Sequence, residues 1–132
     1  MTSAIVSTEK SVQAAVLDYL NTLPYTKAWR QNRGAMLSEY TSKRTGITKK
    51  RMVKFGIPGQ SDISGICRGW RLDIEIKRAG EVPTKNQAIY LATMTGIGGI
   101  ALWCDSLRSC VEKLRAEFER RGWAWSQSWN VW

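Results

Sequence analysis

The chain contains no histidine. That absence removes Ser-His and Cys-His nucleophile pairs, His-ligated zinc and a histidine general base. Any chemistry must be carried by carboxylates and lysine. Cysteine is scarce: Cys67, Cys104 and Cys110 show no Cys-x-x-Cys spacing. Neither a zinc site nor a disulfide framework is indicated, and all three read as small buried hydrophobes. No run approaches the ~20 apolar residues that span a bilayer. The first ten residues, Met-Thr-Ser-Ala-Ile-Val-Ser-Thr-Glu-Lys, lack the charged start and long apolar core of a signal peptide. A cytoplasmic protein with no membrane partner is expected. Acidic residues are also in short supply, with 11 Asp and Glu against 20 Lys and Arg for a net charge of +9. Such an excess favours polyanionic partners, nucleic acid before an anionic membrane surface.

What is present fits one domain with one core, because 132 residues leave no room for a second. The most informative stretch is residues 58–77. From Arg71 to Lys77 the residues alternate strictly, with Leu72, Ile74 and Ile76 on one side and Arg71, Asp73, Glu75 and Lys77 on the other. A period of two marks a β-strand with unlike faces. Asp62 to Cys67 is a second strand candidate, interrupted by Gly65, and Arg68-Gly69 supplies the turn between them. Such a hairpin can bring Asp62 beside Glu75, with Lys77 one pleat further along. Two carboxylates there suit a hard divalent cation such as Mg²⁺, and the lysine can orient a water or stabilise charge on a phosphate. The competing reading is a solvated, salt-bridged strand face.

Elsewhere the chain reads as follows. A first helix spans 8–21, capped by Thr8, with Val12, Ala15, Val16, Tyr19 and Leu20 as its apolar stripe. Residues 26–37 are expected as the first strand, and 38–54 as a long basic loop carrying Lys49, Lys50, Arg51 and Lys54. That loop reads either as a DNA-backbone contact or as a solvated loop. Thr84 caps a helix over 85–95 that stops at Gly96, and 99–104 is an apolar run fitting a buried parallel strand. Asp105 or Ser106 caps a last helix over 107–121. The core thus covers about 8–121, followed by a tail, 122–132, with four tryptophans. These pack on the domain, meet a partner or stack on bases, with packing the default. The order α-β-β-β-α-β-α gives an α/β domain: a small mixed β-sheet, three antiparallel strands plus one parallel, flanked by helices.

Three segments share one further pattern: Pro58-Gly59-Gln60-Ser61-Asp62, then Glu75-Ile76-Lys77-Arg78-Ala79-Gly80, then Thr84-Lys85-Asn86-Gln87. Together they resemble the PD-(D/E)XK nuclease superfamily and, within it, the VRR-NUC (virus-type replication-repair nuclease) family, over about residues 8–107. The resemblance implies a restriction-endonuclease-like core and a DNA endonuclease dependent on Mg²⁺ or Mn²⁺. It implies Asp62, Glu75 and the backbone carbonyl of Ile76 as metal ligands, Lys77 serving the attacking water and Gln87 assisting at the phosphate. It also places a glutamate near Glu9, whose helix can bring the carboxylate toward the metal, although an anion at a helix start needs no such role. Arg30 and Arg33, in a segment of similar basic character, would contact phosphates or simply be exposed strand charges. Arg78 follows as the basic residue after Glu-x-Lys. Domains of this kind standing alone are typically from phages or bacteria and resemble Holliday-junction resolvases, which implies branched DNA as substrate and a homodimer. A nuclease acting on flap or duplex DNA, or a DNA-binding module without catalysis, is the alternative.

Overall fold

The computed structural model describes residues 8–31 and 34–132. Helix α1 (Glu9–Leu20) opens where the Thr8 side chain accepts a hydrogen bond from the Ser11 amide at 3.1 Å, satisfying one of the free donors of a first turn. Its stripe Val12, Val16 and Leu20 is buried. Just past its end, the Asn21 side chain both donates to the Ala28 carbonyl (3.0 Å) and accepts from the Ala28 amide (2.9 Å). One side chain therefore ties the helix end to the middle of strand β1 (Thr26–Arg30).

Four strands form the main sheet: β1, β4 (Ile63–Cys67), β5 (Trp70–Ile76) and β6 (Ile100–Cys104), in the order β1-β4-β5-β6. The first two pairings are antiparallel and the last is parallel, as a crossover through helix α2 (Lys85–Gly96) requires. Gly65, the residue that interrupts the β4 pattern, lies opposite Ala28. A β-carbon there would stand 2.5 Å from the Lys27 carbonyl oxygen, so glycine permits β1 to approach. Helix α3 (Leu107–Arg120) is capped by Ser106, which accepts from the Ser109 amide at 3.0 Å.

Leu72, Ile74 and Ile76 of β5 are buried in one cluster with α1 (Val16, Leu20) and α3 (Leu114). Each such side chain contributes ~1.5–3 kcal/mol by leaving water. Helix α2 covers the opposite face of β5, where Tyr90 and Gln87 bond to its polar side chains. The molecule is thus mixed α/β, a mixed sheet with three helices, as expected. Among the described residues no helix is long and apolar enough to cross a membrane.

Two expectations fail between residues 26 and 54. The first strand stops at Arg30, and Gly34–Thr41 is a separate strand, β2. The supposed loop is largely strand as well: β3 (Thr48–Phe55) pairs antiparallel with β2 from Gly34–Phe55 to Thr41–Thr48. Together they make a two-stranded ribbon outside the main sheet. Its residues 38–41 and 48–52 are exposed. A stretch exposed on both faces has no reason to alternate apolar with polar, so the period-two signal is missing over these residues.

The tryptophan tail folds back on the domain. Trp123, Trp125 and Trp129 pack against the core. Phe118 takes Trp123 and Trp125 edge-on at 5.2 Å each, and the Tyr19 hydroxyl donates to the Trp129 carbonyl at 2.8 Å. Trp132 stays exposed beneath the Arg108 guanidinium. Much of the aromatic surface that the sequence offered to a second subunit is therefore used within the chain.

Candidate active site

The site grows from the β4–β5 hairpin. Its ladder ends at the pair Ile63–Ile74, and continuing that register by one residue sets Asp62 opposite Glu75. At this point the chain leaves ladder geometry. The Asp62 side chain accepts from the Ile76 amide at 2.9 Å, while the Asp62 carbonyl accepts from the Gln31 amide at 2.8 Å. The Asp62 carboxylate is thereby held against β5 beside residues 75–77.

Asp73, Glu75 and Lys77 share one face of the strand by its period of two. They are 0%, 2% and 9% exposed. A solvated charged face is thus excluded: three consecutive charges on one face are buried, which is costly unless each is compensated. For Asp73 the compensation is complete. Its Oδ1 accepts from the Ser61 hydroxyl (2.8 Å) and the Tyr90 hydroxyl (3.0 Å), and its Oδ2 from Arg71 Nε (3.2 Å). Arg71 also donates to the Ser64 hydroxyl at 2.9 Å, closing the network. Burial, with the Asp73 charge adding to it, pushes the Tyr90 hydroxyl above its ordinary pKa. The bond to Asp73 likewise strengthens the hold of Arg71 on its proton.

Glu75 is positioned from α2. Gln87 Nε2 donates to Glu75 Oε1 at 2.9 Å. The same amide's Oε1 accepts from the Thr84 amide at 2.8 Å, and Thr84 Oγ1 accepts from the Gln87 amide at 3.3 Å. This reciprocal cap fixes the start of α2. Gln87, expected at the phosphate, therefore both caps the helix and orients the carboxylate. The approach loop makes this possible. Gly59 has a φ of +76°, and a β-carbon there would collide with the Asn86 carbonyl. Gly59 thus packs directly on the first turn of α2.

Glu9, Lys10, Gln13, Asp62 and Ile76 line a cleft of about 210 Å³. Glu9 thus lines the same cleft as Asp62 and Ile76. Among the described residues no group of three or more His, Cys, Asp or Glu side chains is placed to hold a metal ion. The donor set is oxygen only: two carboxylates set opposite one another, with the Ile76 backbone alongside. That fits Mg²⁺ or Mn²⁺, since Mg²⁺ commonly takes one or two carboxylates and keeps several waters.

Of the basic residues, Arg30 is exposed at the end of β1, opposite Ile63 and so one residue from Asp62. Arg33 lies outside the described residues. Lys49, Lys50 and Arg51 are exposed on β3, and Lys54 is in the same strand. Lys50 is engaged by Glu39 at 3.7 Å and Arg78 by Glu81 at 3.5 Å, both exposed pairs of small energetic weight.

Sequence reasoning missed the Asp73 network. Its signal was available in part, because alternation had already put Asp73 on the face of Glu75 and Lys77. Nothing in the sequence joined Ser61, Ser64 and Tyr90 to it. Fold and site together define a mixed α/β domain in which β5 buries a carboxylate–lysine face and Asp62, held to the same strand, lines a cleft with Glu9. Compared with known proteins, the chain matches no family model and no curated protein.

Proposed function

We propose that this chain is a divalent-metal-dependent DNA endonuclease of the PD-(D/E)XK superfamily, with a restriction-endonuclease-like core and VRR-NUC-like motifs. One observation carries the reading. Glu75 and Lys77 are buried on one face of β5, next in sequence to Ile76, whose amide holds the Asp62 carboxylate, where a merely solvated strand would leave them in water. Asp62, Glu75 and the Ile76 carbonyl would hold the cation, and Glu9 stands at the same cleft. When bound, the cation polarises a phosphoryl oxygen and acidifies a coordinated water. Lys77 orients the attacking water and offsets charge developing on the phosphate. Gln87 keeps Glu75 in place through its amide. The new phosphorus–oxygen bond forms to water as the phosphorus–oxygen ester bond breaks, and the leaving oxygen takes up a proton.

Branched DNA is the proposed substrate and a two-fold homodimer the proposed assembly, because resolving a junction requires two nicks and the described residues build one candidate site. The test is incubation with four-way, flap and linear DNA, with Mg²⁺, Mn²⁺ or chelator. Metal-dependent cutting with preference for the four-way substrate is expected. Absence of cutting on every substrate in both metals would overturn the enzymatic reading. Cutting by a species that stays monomeric on a four-way junction would overturn the dimer alone.

A further inference from the structure

The β2–β3 ribbon is placed where a substrate-gripping arm would be needed. Both of its ends are rooted at the site. β1 leads into it just after the Gln31 amide bonds to the Asp62 carbonyl. β3 leaves it through Gly56 and Ile57, where the Ile57 amide donates to Gln60 Oε1 at 3.1 Å, two residues before Asp62. Strands of eight residues make it about 27 Å long.

Its composition and exposure are unlike those of the core. Residues 38–52 hold five Lys or Arg against one acid, Glu39. Tyr40, Ile47 and Met52 are 69%, 56% and 56% exposed. An isolated two-stranded hairpin is marginal in water, so this one is suited to being completed by a partner.

Pairing shows which face that partner meets. Glu39 is opposite Lys50, and Thr41 opposite Thr48. These two pairs share a face and satisfy each other, by a 3.7 Å ion pair and a 2.8 Å hydroxyl contact. The other face carries Tyr40 opposite Lys49 and Ser38 opposite Arg51. It has two cations beside an exposed aromatic ring and, among its described residues, no acid. A hollow of about 330 Å³ opens at its tip, lined by Tyr40, Ser42, Thr45, Ile47 and Lys49.

We propose that the Ser38–Tyr40–Lys49–Arg51 face of the ribbon inserts into a groove of double-stranded DNA and grips the duplex beside the cleavage site. The B-form major groove is wide enough for a two-stranded β-ribbon, whereas that of A-form RNA is deep and narrow. Lys49 and Arg51, two residues apart, reach the phosphates along one wall. Tyr40 and Ser38 face the base edges. The location beside the cut rests on the nuclease reading; the grip on duplex does not.

The experiment is equilibrium binding of the full chain in chelator, so that no cutting intervenes, to duplex DNA, single-stranded DNA and double-stranded RNA of matching sequence across a salt titration. K49Q/R51Q is expected to lose about tenfold or more in duplex affinity, with a log-log salt slope shallower by about 1.8, the value for two B-DNA phosphate contacts. K27Q/R115Q removes the same charge from exposed positions off the ribbon and is expected to lose less than a third of that slope. Lys50→Gln should cost less than Lys49→Gln. Equal losses for the ribbon and off-ribbon pairs would overturn the proposal. So would single-stranded DNA or double-stranded RNA binding as tightly as duplex DNA. Metal-dependent cutting that survives such a result leaves the nuclease reading standing. Ribbon-dependent duplex binding by a protein that never cuts leaves only the ribbon.

Discussion

Two regions of this molecule carry charge on strands, and they treat it in opposite ways. On β5, Asp73, Glu75 and Lys77 are buried, and α2 reaches the first two through Tyr90 and Gln87. On β3, Lys49, Lys50 and Arg51 stand in water on a ribbon outside the main sheet. A buried charge is tolerated only where neighbours replace its hydration. The β5 face therefore needs a rigid shell, and Ser61, Ser64, Arg71, Tyr90 and Gln87 provide one. An exposed charge needs no shell and contributes little to stability, so the ribbon is free to change composition and to serve a partner. Position against the rest of the fold, more than local sequence, separates a site from a surface.

The difference can be broken most severely at Asp73. Asp73→Ala leaves Arg71, Ser61, Ser64 and Tyr90 without their common acceptor, and about 3–5 kcal/mol of stability should be lost, measured by urea unfolding. A change of less than 1 kcal/mol would show that the network is not holding the buried face. Gln87→Ala removes one half of the α2 cap and the donor to Glu75, for which about 1 kcal/mol is expected. Cleavage should fall by more than that stability loss explains, because Glu75 is left without its orienting amide.

Alkali sharpens the contrast further. Tyr90 holds its proton more tightly folded than unfolded, chiefly through burial and then through Asp73. Its contribution is therefore full below the unfolded tyrosine pKa of ~10 and is lost as pH rises through the higher folded value. Tyr90→Phe should flatten that part of the stability–pH curve, read as the difference from the unsubstituted chain. Ribbon charges stand at the small end: K49Q/R51Q should shift stability by no more than about 0.5 kcal/mol while weakening DNA binding.

The same contrast explains what could be read from sequence. Alternation at Leu72, Ile74 and Ile76 located β5, and the apolar run at 99–104 located β6, because each buries an apolar face whose period is visible. The mixed sheet and the helices at 8–21, 85–95 and 107–121 followed from stripes and caps such as Thr8 and Thr84. The ribbon was legible only as basic composition, since its residues 38–41 and 48–52 are exposed on both faces and leave no pattern to read. Burial of Glu75 and Lys77 could not be read either. Alternating charge looks the same whether water or a helix lies above it, and the groups that meet the β5 carboxylates arrive from Gln87 and Tyr90, distant in the chain.

The central claim is that the buried face is a metal-dependent cutting site. It is tested most directly by Glu75→Gln, which keeps the side-chain oxygen that accepts from Gln87 but removes the negative charge a cation requires. Cleavage of four-way and linear DNA in Mn²⁺ should be measured for this variant and the unsubstituted chain, alongside DNA affinity in chelator. The account predicts that cleavage vanishes while affinity stays within about twofold, since the basic surface proposed to meet phosphates is untouched. Cleavage by Glu75→Gln at the full rate would contradict it.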